Sequence, residues 1–179
     1  MMDDYAVVTD RISKVPGVRL AMPLIEGQVL AQGNTASGNG ALVRGVRGAD
    51  LARVELVAKN IKQGTIENFD ASEGVAIGQR LAERLGLTLG DQITIINPNG
   101  TPTPFGMTPA ERTLPVNVIF SIGMPEYDGF YVYLPMREAQ AYFRLYEDRL
   151  KPDATMPGVM ASDEEIDAAY ERVYQATGV

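Results

Sequence analysis

Between Asn97 and Pro115 the chain reads NPNGTPTPFGMTPAERTLP, and this stretch limits what its neighbours can build. Pro98, Pro102, Pro104, Pro109 and Pro115 each lack a backbone donor and lock φ, and Asn99, Gly100 and Gly106 lie among them. That pattern predicts that ordinary ladder pairing stops here. On either side the pattern is regular. Gln92–Asn97 is a β-branched strand, and Val116, Val118, Phe120 and Ile122 alternate with Asn117, Ile119 and Ser121, a strand with one face in the core. The stretch is therefore predicted as a long loop at the tip of a hairpin. Connections longer than about 12–15 residues tend to be functional or disordered. This one carries Phe105 and Met107, with charge only at Glu111 and Arg112. Its apolar side chains either fold back on their own domain or face a partner, and prolines favour a pre-shaped finger by lowering the ordering entropy.

Just upstream, Gly74–Ile77 is a short apolar run, and Gln79–Leu85 has helical spacing with Leu81 and Leu85 on one side. Gly86 follows the last periodic residue, where a left-handed cap suits glycine. Gly90-Asp91 then supplies a turn. Earlier in the chain, Asp4 could cap a helix that places Tyr5, Val8, Ile12 and Val15 on one face, and Pro16-Gly17 ends it. Val18–Ile25 reads as extended. Gly27–Gln32 and Ala41–Val46 read as two strands of a hairpin joined by the Gly/Asn/Ser-rich Gly33–Gly40. Asp50–Lys59 suggests a short helix, and Gly64–Glu73 suggests turns with a brief strand. Gly45 and Gly48 in VRGVRG do not form a phosphate loop, because no strand–turn–helix unit of that type follows and no Walker lysine is present.

Downstream, Phe130, Val132 and Leu134 alternate with Tyr131 and Tyr133, so the tyrosines share a face that lines a groove or half-buries on the sheet. Met136–Leu150 reads as a helix with Ala139, Tyr142, Phe143 and Tyr146 grouped for packing. Lys151–Met160 is a proline-containing connector, and Ser162-Asp163-Glu164-Glu165 is a capping box opening a last helix. The order predicts an α+β fold, a mainly antiparallel sheet with packed helices and a long protruding hairpin loop.

Composition removes whole classes of chemistry. The 179 residues contain no Cys and no His, so thiol nucleophiles, disulfides, Ser-His-Asp arrangements and imidazole–metal sites are excluded. A net charge of -7 argues against nucleic acid as a partner and against electrostatic attachment to anionic lipid. Glu126 and Asp128 fall on one turn and could hold a hard cation, although an Asp-Gly turn explains the pair as well. No apolar run approaches the roughly 18–20 residues that span a bilayer. Met1–Asp4 lacks the basic and apolar regions of a signal peptide, so the chain reads as cytosolic or as a fragment of a longer protein.

Two motifs go further than composition. Gly78-Gln79-Arg80-Leu81-Ala82-Glu83-Arg84-Leu85-Gly86 followed by Gly90-Asp91 resembles the periplasmic domain of ABC-transporter permeases of the MacB/FtsX superfamily. Within it the likeness is greatest to the lipoprotein-releasing permeases of LolC/LolE type. Thr103-Pro104-Phe105-Gly106-Met107-Thr108-Pro109-Ala110-Glu111-Arg112 is similar to that family's Thr-Pro-x-Gly-x-x-Pro-x-x-Arg loop, and Gly123–Asp128 is similar to the acidic segment that follows. Val18 to Pro23 and Leu42 to Gly48 resemble the family's early strands, so the likeness covers most of residues 10–145. The Tyr146–Met160 segment has no counterpart in the pattern.

The resemblance implies a MacB-like periplasmic core forming one domain over residues 1–179, on the periplasmic side of the bacterial inner membrane, with transmembrane helices flanking it outside this chain. It implies a non-enzymatic part of a transporter without a cofactor or a metal, ATP hydrolysis belonging to a separate subunit. Residues 98–114 would be a hook that engages a periplasmic lipoprotein carrier, with Thr103, Pro104, Phe105, Gly106, Met107, Pro109 and Arg112 on it and Phe105 as the anchor. The implied partners are that carrier, the lipoprotein cargo, a second permease subunit and ATPase subunits. Two rivals stay open: a related permease domain serving efflux or cell-wall hydrolase control, and a double-psi-barrel enzyme using Glu126 and Asp128.

Overall fold

Helix formation over Gln79–Leu85 (α4) follows the leucine spacing, and Gly86 stops it in the left-handed region at φ 64° and ψ 36°. There the Leu87 amide donates back to the Ala82 carbonyl at 2.8 Å, which closes the last turn. The Gly90-Asp91 turn is also where the sequence puts it. Gly90 has φ +89°, and the Asp91 carboxylate accepts from the Thr88 amide and hydroxyl at 2.8 and 2.9 Å. These belong to a computed structural model that describes residues 5–35, 37–103 and 106–143, and over 99–103 and 106–108 the backbone alone.

The strands are β1 (Ile25–Gln32), β2 (Asn39–Val46), β3 (Ile61–Gly64), β4 (Val75–Gly78), β5 (Gln92–Thr103), β6 (Gly106–Phe120) and β7 (Tyr131–Pro135). They lie in the order β3-β6-β4-β7-β2-β1-β5, and β5 pairs again with β6. Six strands therefore close into a ring, and β3 sits outside it on β6. The sheet is mixed, since β2 runs parallel to β7 and β4 parallel to β6. The antiparallel β1–β2 hairpin matches its expected place, with Val29 opposite Ala41.

Alternation along the strands sends one set of side chains inward. Val29, Ala31, Val43, Ile77, Ile95 and Val132 are all buried and form one interior cluster. Helices complete it from both ends. β4 runs directly into α4 and β7 directly into α6 (Met136–Tyr142), and β4 and β7 are antiparallel neighbours. The two helices must therefore close opposite ends of the ring. Leu81, Ala82 and Leu85 enter from one, and Ala139 and Tyr142 from the other. A second cluster lies outside the ring, where Leu51, Val57 and Phe69 cover Ala76, Val118, Phe120 and Tyr133.

Elsewhere the expectations need revision. Asp50–Lys59 is two short helices, α2 (Gly48–Leu51) and α3 (Glu55–Ala58), because Asp50 is buried and paired with Arg47 while the chain bends at Val54. The first helix, α1 (Tyr5–Ser13), forms but stops short of Val15 and buries no residue, with Val8 50% and Ile12 47% exposed. After the non-helical Ser121–Met124, the chain forms a short helix, α5 (Pro125–Phe130), started by Pro125 in its first turn. Asp4, the Lys151–Met160 connector and the capping-box helix at Ser162 lie outside the described residues.

The prolines between Asn97 and Pro115 do not stop the ladder. β5 and β6 pair from Gln92↔Pro115 to Asn97↔Ala110, then from Thr101↔Thr108 through Pro102↔Met107 to Thr103↔Gly106. The physical reason is the ribbon's isolation. Beyond Ile96, β5 has no β1 partner, and before Val116, β6 has no β4 partner, so each strand has one free side. Proline is tolerated at such an edge because its missing donor has no second neighbour to serve. Pro98 and Pro109 fall at the register shift between Asn97 and Thr101, a bulge where pairing is already interrupted.

Gly78 is the tightest joint in this arrangement. A Cβ there would stand 2.3 Å from the Asp128 carbonyl oxygen, a backbone atom of α5 that a side-chain rotation cannot move away. Gly78→Ala should lower the urea midpoint with an unchanged slope, at a cost of roughly 1–3 kcal/mol. An unchanged midpoint would show that α5 gives way freely.

Candidate partner-docking ribbon

The ribbon leaves the ring at the end closed by α6. β5 is antiparallel to β1, β1 antiparallel to β2, and β2 parallel to β7, so β5 points the same way as β7 and away from α4. Its stem is held by cross-strand pairs. The Thr94 and Thr113 hydroxyls meet at 2.9 Å across a pair of directly opposed residues. On the other face Ala110, Arg112 and Leu114 alternate toward α6 and the interior, and Leu114 is buried in the core.

Two side-chain contacts join stem and helix. An Arg112 guanidinium nitrogen donates to Glu138 Oε2 at 2.7 Å, and the Tyr142 hydroxyl donates to the Ala110 carbonyl at 3.2 Å. Burial pushes Tyr142 up to about 12; a backbone hydrogen bond with Asn97 opposes the shift, and the Glu111 carboxylate adds to it. Asn97 and Ala110 face each other across the ribbon, so the phenol touches both strands at the last pair before the bulge.

Seven residues were assigned to the hook. Thr103, Gly106 and Met107 stand at the far end of the ribbon, their backbones in register with Gly106, Thr103 and Pro102 respectively. Pro109 is exposed at the bulge. Pro104 and Phe105, the expected anchor, lie outside the described residues. Arg112 is set back on the stem, half exposed and paired to Glu138, so its charge already has a partner within the domain. Sequence reasoning missed Glu138 and Tyr142. Their only signal was helical spacing, which marked Tyr142 for packing and passed over Glu138 as a surface carboxylate.

The Glu126 and Asp128 pair takes a different shape from a cation site. Asp128 is buried and accepts from the Ser121 hydroxyl at 3.0 Å, the Ile122 amide at 2.9 Å and the Gly123 amide at 3.1 Å, which fixes the turn before α5. Glu126 is exposed and lines an outer groove of about 430 Å³ with Leu42, Phe130 and Tyr131. No group of three or more acidic residues among those described could hold a metal ion. The tyrosine face borders that groove but is largely occupied from within. Tyr131 stacks on Tyr127 at 3.8 Å, and the Arg44 guanidinium lies 4.3 Å from the Tyr131 ring centroid while bonding Glu26 at 2.6 Å. Tyr133 is buried, which raises its phenol well above the ordinary range.

Comparison with known proteins places this geometry. The family model for the MacB-like periplasmic core domain matches residues 2–174. The lipoprotein-releasing system transmembrane protein LolC of Xylella fastidiosa is 28% identical over 131 residues, 73% of this chain and 31% of that protein. LolC of Neisseria meningitidis serogroup B is 27% identical over 130 residues, 72% of this chain and again 31% of the relative. The chain thus spans under a third of the length of the relatives it matches. Among solved structures, the extracellular domain of the noncanonic ABC-type transporter YknZ from Gram-positive bacteria aligns with a TM-score of 0.52 at 15% identity, covering 76% of this chain and 64% of that one, a likeness of fold. Among the described residues no helix is long and apolar enough to cross a membrane.

The Tyr142 phenol offers a titration that reports its burial beside the stem. The fold favours its neutral form, so the stability this group carries is whole below its ordinary value of 10.0 and fades as pH rises through about 12. Tyr142→Phe should flatten the fall in denaturant midpoint between these two values. An identical fall in both proteins would remove Tyr142 from that role.

Proposed function

Because the chain belongs to the MacB-like periplasmic core domain family, we propose that it is the periplasmic part of a permease that releases lipoproteins from the inner membrane. On this reading the β5–β6 ribbon is the hook that docks a periplasmic lipoprotein carrier. The observation that carries it is the ribbon itself, a paired two-stranded arm leaving the ring of strands, with Thr103, Gly106, Met107 and Pro109 on its outer half and Arg112 on its stem. A core domain has no need of such an arm for its own stability, since an isolated two-stranded hairpin is marginal in water. The LolC relatives, whose names specify lipoprotein release, support the same assignment.

The mechanism needs no covalent chemistry from these residues. Transmembrane helices outside this chain would move the domain, ATPase subunits would supply the energy, and a second permease subunit would complete the transporter. The domain contributes a recognition surface at a defined place. Phe105 is proposed as the anchor, in keeping with the enrichment of large aromatic side chains at interface hot spots. Thr103, Pro104, Gly106, Met107 and Pro109 would shape the arm around it.

Calorimetric titration of the domain with the host's lipoprotein carrier tests the assignment. Micromolar or tighter binding is expected, weakened by about 1–3 kcal/mol in Phe105→Ala. Absence of binding by the folded, unsubstituted domain would turn the assignment toward a non-docking permease subunit or a permease of another kind, serving efflux or cell-wall hydrolase control. Binding insensitive to the truncation would keep the carrier and remove Phe105 as its anchor.

A further inference from the structure

We propose that α6 is a clamp that sets the angle of the ribbon, and that Glu138 and Tyr142 are positioning residues for docking; the docking half of this rests on the reading of the ribbon as a hook. Two observations carry it. The ribbon has lost its sheet neighbours, since β5 passes beyond β1 after Ile96 and β6 joins β4 only at Val116. A two-stranded ribbon without lateral neighbours twists and bends easily, so whatever touches its side governs where it points. Two side-chain hydrogen bonds tie the stem to α6: Arg112 to Glu138 at 2.7 Å, and Tyr142 to the Ala110 carbonyl at 3.2 Å.

Position sharpens the argument. The register shift lies between Asn97 and Thr101, and bulges are where strands bend. Tyr142 meets the Asn97–Ala110 pair at the last rung on the ring side of that bulge, and Glu138 holds the rung of Arg112 and Ile95 behind it. β1 still flanks β5 up to Ile96, so the Tyr142 contact holds the first rung that has lost that neighbour, and the clamp fixes the base from which the outer half is aimed. The helix end of the clamp is itself rigid. Ala139 is fully buried and packs against Gly45, where a Cβ would stand 2.2 Å from its own, and the Phe143 ring lies over Gly27. An exposed ion pair of this kind adds little to stability. What it supplies is direction, by narrowing the orientations that the arm samples before it meets a partner.

The chain contains no cysteine, so paired spin labels can be placed without background. Labels at Glu83→Cys on α4 and Thr101→Cys on the outer ribbon would report the arm's angle by pulsed dipolar distance measurement. Glu138→Gln combined with Tyr142→Phe, which keeps both shapes, should broaden the distance distribution, while exchange of the pair as Arg112→Glu with Glu138→Arg should keep it narrow. A distribution unchanged in the double variant would overturn the clamp. Affinity for the lipoprotein carrier is the second reading. If release of the clamp leaves about a tenth of the molecules correctly oriented, the dissociation constant should rise about tenfold. Broadening without any change in affinity would overturn the positioning role. Failure of the unsubstituted domain to bind would overturn the docking assignment alone, and the distance distribution would still decide whether the clamp exists.

Discussion

Closure of the sheet around a single apolar interior is the constraint from which the rest follows. A ring of strands has no free backbone edge within its circumference, but it leaves two open ends where inward side chains would meet water. Here the antiparallel pairing of β4 and β7 resolves both ends, because each strand runs straight into a helix at its own exit. The tight joints follow from it. Gly78, where β4 passes directly into α4, must admit the α5 backbone, and Gly45 must admit Ala139 of α6, which follows β7 directly. The ribbon follows too. β5 and β6 are longer than the ring needs, and the surplus can only leave through an end.

Local signals were legible wherever one residue type settled the matter. Leu81 and Leu85 with Gly86 define α4 to the residue, and the Gly90-Asp91 turn is set by backbone that glycine alone adopts cheaply. Pairing direction was not legible. The parallel partners β2 and β7 are separated by nearly half of the chain, and alternation in Val132 and Leu134 is the same whether the neighbour runs up or down. The prolines misled for a related reason. They forbid a second neighbour on the donor side, not a first, and only the topology decides how many neighbours a strand has. The stripe on α1 shows the opposite failure: Val8 and Ile12 satisfy helical periodicity, yet within this chain the described residues do not cover them.

The same division runs through the candidate site. Motif likeness marked the outer ribbon and Arg112 with it, but gave no sign that Arg112 pairs with Glu138 from a helix 26 positions later. No local pattern links those two residues. Glu126 and Asp128 looked like a pair because they are close in sequence. In the fold one is spent on three backbone and hydroxyl donors and the other faces an outer groove.

The ribbon's two outer edges have a consequence for solubility. Beyond the bulge a paired arm without further sheet neighbours presents two open edges, the geometry on which another chain's strand can add. Pro98, Pro102 and Pro109 remove donors along these edges, and the bulge breaks the straight run that a foreign strand would need. The residues that obscured the ladder in the sequence thus let one cross-strand partner form while discouraging a second. An arm held out from its domain can in this way remain single in a crowded compartment.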